Sequence, residues 1–207
     1  MDVWEAILSR RAVRDYHPEM VAEPTLRKLV TAASWAPSGM NDQPWHFTIV
    51  TDPALLNEIS EHAKIWMLSE LATLSKPVHF LDAMKDPTFQ LFYRAPAMIV
   101  ISAPSQAIWV KEDCGSAAQN LMLAATDSGL GSCWIGFAQG WLNTREGKEL
   151  LGLPEYTEVV APITIGYPKA NTPSVPRKPP KITWLGTRSI ARKNKVPEAR
   201  NGVSHER

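Results

Sequence analysis

The chain is poor in cysteine, with two in 207 residues, and Cys114 and Cys133 form no C-x-x-C pair. That excludes a disulfide-rich secreted scaffold and fits a reducing compartment. No run of 18 apolar residues occurs, so no transmembrane helix is expected. The start, MDVWEAILSRR, lacks the basic region followed by an apolar stretch that a signal peptide needs, and the expected location is cytoplasmic. The five histidines (His17, His46, His62, His79 and His205) are scattered without ligand spacing, so no metal site is expected. Missing too are G-x-x-x-x-G-K-[ST], G-x-S-x-G and H-E-x-x-H. Gly129-Leu130-Gly131 fails the dinucleotide fingerprint, because the next glycine is Gly136 and the segment follows a helical pattern; it reads as a helix terminator. Cys133 reads as an apolar strand neighbour, since burial without a cationic partner leaves a thiol inert.

What is present is an ordinary globular composition, 44% hydrophobic and 21% charged. At about 150 residues per domain this is one domain, able to bury about 70% of its unfolded surface. The formal net charge of +1 hides an asymmetry: residues 177–207 hold nine basic and two acidic residues, and the rest of the chain is acidic. We therefore take residues 1–185 as one domain and 186–207 as a basic tail. A nucleic-acid role for that tail rests on charge alone, and the tail has no aromatic residue to stack on a base.

Periodicity gives the elements. A helix is predicted over about Asp2–Ser9, with Val3, Trp4, Ile7 and Leu8 on one face, and a second from near Pro24, ending at Ala36-Pro37. PSGMNDQP at 37–44 reads as an ordered loop. His46–Val50 is a strand, and Asp52-Pro53 caps a helix reaching about Leu68. Ala97–Ser102 is a continuous apolar run, as in a strand covered on both faces. Lys111–Ser128 is the strongest helix, with Cys114, Ala117, Ala118, Leu121 and Ala125 at helical spacing. Ser132–Phe137 reads as a short strand carrying a glycine, Asn143 with Glu146 as an N-cap pair, and Val159–Ile165 as the last strand. Five prolines among residues 168–180 demand an extended chain. The sum is an α+β domain with about four strands.

Arg10, Arg11 and Arg14 stand within five residues at the end of an amphipathic helix. Such a cluster decorates a solvated surface or binds a phosphate through guanidinium forks. Ser38, Asn41 and Gln43 offer hydrogen-bonding groups beside Trp45, and Arg177 and Lys178 add cations late in the chain. A doubly charged phosphate, a polyol and a flat, polar-edged ring would use these together.

Four segments in this order resemble the FMN-dependent nitroreductases: SRRAVRDY at 9–16, APSGMNDQPWHF at 36–47, EDCGSAAQNLMLAATDSGLGSCWIGF at 112–137 and PITIGYPK at 162–169, with PRKP at 176–179. The resemblance implies a sandwich with a central, mostly antiparallel sheet flanked by helices. It also implies an intertwined homodimer with FMN at the subunit interface and NADH or NADPH as electron donor. On the same ground Arg10 and Arg11 belong at the FMN phosphate and ribityl chain, with Arg177 or Lys178 arriving from a C-terminal arm, and Arg14 beside the N1/O2 edge of the ring. Pro37, Ser38, Gly39 and Asn41 correspond to contacts from the other subunit, and Trp134, Ile135 and Gly136 to the strand beneath the ring, with the Gly136 N–H facing flavin N5. No protein nucleophile or general base is implied. The chain departs from the family at Ala12, where many members have Ser or Thr, and at Ile135, where many have an acidic residue. These departures leave the subgroup open.

The activity implied is ping-pong hydride transfer from NAD(P)H to a nitroaromatic, quinone or similar acceptor. Reductive dehalogenation, flavin-dependent dehydrogenation, or FMN storage with little catalysis are the alternatives. An acceptor pocket is expected among residues 62–93 and near Trp109, with Trp66, Phe92 and Trp109 available to stack on an aromatic acceptor; core packing is the commoner use of such residues.

Overall fold

The computed structural model describes residues 1–72 and 81–185; His79 and the basic tail lie outside the described residues. The chain divides into two units, Met1–Ser174 and Val175–Arg207, a division earlier than the boundary at residue 185 read from composition. From Val175 to Leu185 the second unit has neither helix nor strand.

Within the first unit, four strands form one antiparallel sheet in the order β1-β2-β4-β3. They are β1 His46–Val50, β2 Ala97–Pro104, β3 Gly131–Trp134 and β4 Thr157–Gly166. The helices are α1 Val3–Ser9, α2 Glu23–Ser34, α3 Pro53–Ala72, α4 Leu81–Lys85, α5 Val110–Asp127, α6 Gly136–Leu142 and α7 Arg145–Leu150. β2 is buried from Ala97 to Ala103, because helices cover both faces of the sheet. Side chains alternate across a strand, so Ala97, Ile99 and Ile101 pack with α2 and α5, while Met98 and Val100 pack with α3 and α6.

Local chemistry explains most of the ends. Asp2 and Glu5 form a reciprocal capping box on α1, and the Asp52 carboxylate accepts from the Ala54 N–H at the start of α3. Pro24 sits in the first turn of α2, where its missing N–H is harmless, and Leu26, Leu29 and Ala33 form the buried stripe. Gly129, with φ +72°, follows α5 in the left-handed conformation that terminates helices. The apolar face of α1 is the exception to burial: Val3, Trp4, Ile7 and Leu8 are exposed, and only Ala6 is buried.

Several boundaries differ from the sequence reading: β2 and β4 run longer, to Pro104 and over Thr157–Gly166, and three others have a local cause or bear on the site. β3 stops at Trp134, and both Gly136 and Phe137 belong to α6. The Ile135 N–H still donates to the Pro162 carbonyl at 2.8 Å, but Pro162 has no N–H to return the bond, so the ladder ends there and Ile135 becomes the cap of α6. Thr144, not Asn143, caps α7, its Oγ1 accepting from the Gly147 N–H at 3.2 Å. Asn143 instead ties α6 to the sheet: its Nδ2 donates to the carbonyls of Gln139 and Val159, and its Oδ1 accepts from the Val159 N–H. Finally, α3 runs one turn beyond Leu68, to Ala72.

Candidate functional site

The stretch from Arg10 to Tyr16 is stitched to the sheet at both ends. Ala12 bridges Ser132 in parallel, the Val13 N–H donates to the Ser132 carbonyl at 3.0 Å, and Tyr16 bridges Pro168. A Cβ on Gly131 would lie within 2.7–2.9 Å of the Val13 side chain, so glycine there permits the close approach. Beneath it, the buried Tyr16 hydroxyl donates to the Val13 carbonyl at 2.8 Å and lies 3.0 Å from Thr164 Oγ1, which donates to the Cys133 carbonyl. Burial pushes the Tyr16 phenol up, keeping it neutral as a structural donor.

This arrangement brings Arg14 to the edge of a cleft of about 740 Å³ beside β3. Leu91, Cys133 and Ile135 make part of its lining apolar; Tyr93, Trp134 and Phe137 add aromatic surface, and Gly136 adds bare backbone. The volume lies in the range of small-molecule sites, and an apolar lining with one cation suits a flat ring carrying negative charge at one edge. Trp134 is exposed at 36%, while Ile135 beside it is buried. The Gly136 N–H, first in α6, has no hydrogen-bond partner among the described residues, and a Cβ added there would meet nothing within 4 Å. Burial pushes the Cys133 thiol up, while Arg14 and Arg10 pull it down; burial dominates, which argues against a nucleophilic role. A second cleft, of about 520 Å³, shares Arg14 and Tyr93 and adds Arg94 and Lys169.

The three N-terminal arginines do different things. Arg10 is half-buried and its guanidinium has no hydrogen-bond or ion-pair partner among the described residues, so it remains available for an anion. Arg11 turns back, its Nη1 donating to the carbonyls of Leu8 and Arg10 at the end of α1, and its buried Nε has no partner. Arg14 forms no ion pair among the described residues and lies 6.0 Å from the centre of the Tyr93 ring. The loop residues Pro37, Ser38, Gly39 and Asn41 do not line the cleft; Gly39 sits against the start of α5. There the Gly39 N–H donates to the buried Asp113 carboxylate at 2.9 Å, the Gln43 N–H donates to Ser38 Oγ at 3.0 Å, and Met40, Asn41 and Gln43 all have positive φ. Arg177 and Lys178 belong to the second unit.

The aromatic candidates for an acceptor pocket are dispersed, and none lines the 740 Å³ cleft. Phe92 is 2% exposed and packs in the core. Trp66 lies flat on Gly140 of α6, and Trp109 covers Gly39. The residues that sequence reasoning passed over are Tyr93, at the cleft, and Asp113, behind the loop. Tyr93 and Arg94 both adopt φ near +55° without glycine, so no turn signal marks them. Asp113 looks like any acidic residue in the first turn of a helix.

Fold and cleft together define an α+β protein with an apolar, aromatic-walled cleft that has one cation at its edge. A sequence profile of the nitroreductase family matches residues 7–167, and the chain belongs to that family. It is 32% identical over 170 residues, 79% of this chain and 83% of the other, to an Archaeoglobus fulgidus protein provisionally named NADH dehydrogenase/NAD(P)H nitroreductase. It is 30% identical to the nitroreductase NfnB of Mycolicibacterium smegmatis, covering 78% of this chain and 80% of that one. The crystal structure of a nitroreductase with bound FMN from Bacteroides fragilis superimposes with a TM-score of 0.78 at 30% identity, covering 90% of this chain and all of that one. Among the described residues no helix is long and apolar enough to cross a membrane, and no cluster of His, Cys, Asp and Glu could hold a metal.

Proposed function

We propose that this chain is an FMN-dependent NAD(P)H oxidoreductase that passes reducing equivalents to a nitroaromatic, quinone or similar small acceptor. The observation that carries the reading is the 740 Å³ cleft with apolar and aromatic walls, Arg14 at its edge and an unpartnered backbone N–H at Gly136. FMN fits that donor set, and bound there it would supply the two-electron chemistry that no side chain of this site can perform. Arg14 stabilises negative charge at the edge of the ring, and the Gly136 N–H faces its centre. Arg10 binds the phosphate through its free guanidinium, while Arg11 braces the turn after α1. Trp134 and Ile135 pack beneath the ring. Donor and acceptor use the open side of the cleft in turn, which gives ping-pong kinetics and needs no protein nucleophile.

The assembly proposed is a homodimer in which the 37–41 loop completes the partner's site. The exposed apolar face of α1, with exposed Trp35, Met40 and Ile108, supports it, since a monomer rarely leaves so many large apolar side chains in water. Two free thiols are consistent with a cytoplasmic setting.

The test is the visible spectrum of the purified protein before and after anaerobic NADH or NADPH. The expected result is an oxidised-flavin spectrum that bleaches with one or both nucleotides. A flavin spectrum that neither bleaches would overturn the oxidoreductase reading in favour of a flavin store. A colourless protein that also refuses added FMN would overturn the site.

A further inference from the structure

We propose that Tyr93 is a positioning residue for Arg14: its ring and the segment behind it hold the guanidinium at the edge of the cleft and set how strongly that charge acts on the bound ring. The inference rests on reading the cleft as the FMN site. Arg14 is exposed, sits on a long flexible side chain and has no ion pair among the described residues. A guanidinium in that situation samples many rotamers unless something selects one. The Tyr93 ring stands beside it, with Arg14 Cζ 6.0 Å from the ring centre, at the outer limit for a cation–π contact. Burial pushes the Tyr93 phenol up, while Arg14 pulls it down by its charge and by a side-chain hydrogen bond to the phenol, as expected for neighbours.

The backbone supports a dedicated role. Tyr93 has φ +54° and Arg94 φ +55°, a conformation that a bulky aromatic residue adopts only when its surroundings impose it. The surroundings here are specific. Lys64, on α3 and 6% exposed, directs its ammonium to the Phe89 carbonyl at 3.0 Å; Ser60 Oγ accepts from the Leu91 N–H at 3.0 Å; Gln90 Nε2 donates to Asn57 Oδ1 at 2.9 Å. One helix thus fastens three consecutive residues just ahead of the strained pair. The buried ammonium also pairs with the Glu61 carboxylate at 3.1 Å, so its charge is compensated within α3 while it fixes the Phe89 carbonyl. The Tyr93 N–H then closes a turn onto the Gln90 carbonyl at 3.0 Å, and the Phe89 ring meets the Tyr93 ring edge-on at 5.9 Å. Simple core packing does not account for the arrangement, because Tyr93 is only half-buried and lines both clefts that Arg14 lines.

The experiment compares the FMN-loaded wild type with Tyr93→Phe, Tyr93→Leu, Arg14→Ala and the Tyr93→Leu/Arg14→Ala double variant. The readouts are the FMN dissociation constant, the flavin midpoint potential and the rate of anaerobic reduction. Tyr93→Leu should move the potential negative, in the same direction as Arg14→Ala, and slow reduction by roughly fivefold, the loss of one exposed cation–π contact. Tyr93→Phe keeps the ring but loses the phenol that bonds Arg14, and should fall between wild type and Tyr93→Leu. In the Arg14→Ala background, Tyr93→Leu should change nothing further. A shift of equal size with and without Arg14, or an unchanged potential in fully flavinated Tyr93→Leu, would overturn the proposal. If Tyr93→Leu does not fold, Tyr93→Asn, which tolerates the left-handed backbone, carries the same expectations. Absence of FMN from the wild-type protein would overturn the reading of the cleft itself, a different and separately visible failure.

Discussion

Gly39→Ala is the sharpest test of how the 37–43 loop is held. Gly39 does not have a positive φ, so alanine meets no backbone penalty there; the obstacle is entirely steric. A Cβ would lie 2.0 Å from Trp109 Cε3 and 2.7 Å from both Cδ2 and Cζ3, at the body of the indole and not at a flexible tip. Either the ring leaves or the loop moves. If Trp109, already 41% exposed, swings away, the loss is that of an overpacked site, about 1–3 kcal/mol. If the loop moves, the Gly39 N–H leaves the Asp113 carboxylate, which is 6% exposed and has no other hydrogen-bond partner among the described residues. A lost bond to a charged group costs about 1.5–3 kcal/mol, and the buried carboxylate left behind makes this the worse route. The ring should therefore yield. A loss of about 2 kcal/mol corresponds to a Tm lower by about 4–8 °C for a chain of this size. The assay is thermal denaturation at one fixed protein and FMN concentration, because oligomers and ligands shift Tm by mass action. Gly39→Ala/Trp109→Ala should melt close to Trp109→Ala alone, since the clash is then gone. A Gly39→Ala protein with unchanged Tm and unchanged FMN retention would refute the reasoning, as would a double variant whose two losses simply add.

Three further outcomes are expected. Arg10→Ala should keep the fold and lose FMN on gel filtration, since no hydrogen bond or ion pair of the protein is removed with the guanidinium; full flavin retention would remove Arg10 from the phosphate site. Asn143→Ala removes three hydrogen bonds and leaves the Val159 N–H and carbonyl unsatisfied, so stability in urea should fall by about 2–4 kcal/mol, and a smaller loss would mean that water replaces the side chain. The Cys114 thiol is pushed up by burial to about 12 in the folded protein, against 9.0 for a free thiol. The unfolded chain therefore loses this proton first, so the contribution is fully present below pH 9 and is lost as pH rises from there towards 12. Cys114→Ala should accordingly lose less stability than wild type between pH 9 and 11, and parallel curves would contradict the assignment.

Local rules determine much of this fold. The stripe Leu26, Leu29, Ala33, the apolar run of β2 and the spacing of small residues along α5 each specify an element by periodicity, and the boundaries of β1 and α2 follow from the residues that flank them. The family was legible for a related reason: arginines, a polar loop and a glycine-bearing segment in fixed order leave a trace in the sequence. Where the sequence reading failed, a distant partner intervened. β3 ends because Pro162, on another strand, cannot return a hydrogen bond, and Asn143 is drawn from a capping role by Val159. The separate fates of Arg10, Arg11 and Arg14 could not be read either, since whether a guanidinium is free or turned back depends on where the carbonyls of α1 end up.

The sequence by itself determined the class of fold, the order of its elements and the group of residues from which the proposed flavin site is drawn, because each depends on contacts within a few residues or on a motif order. Only the tertiary structure decided which of those residues share a cleft, that Tyr93 stands beside Arg14, and that Asp113 anchors the loop at Gly39. These pairings join residues 79 and 74 positions apart, and no local propensity encodes a contact over that distance.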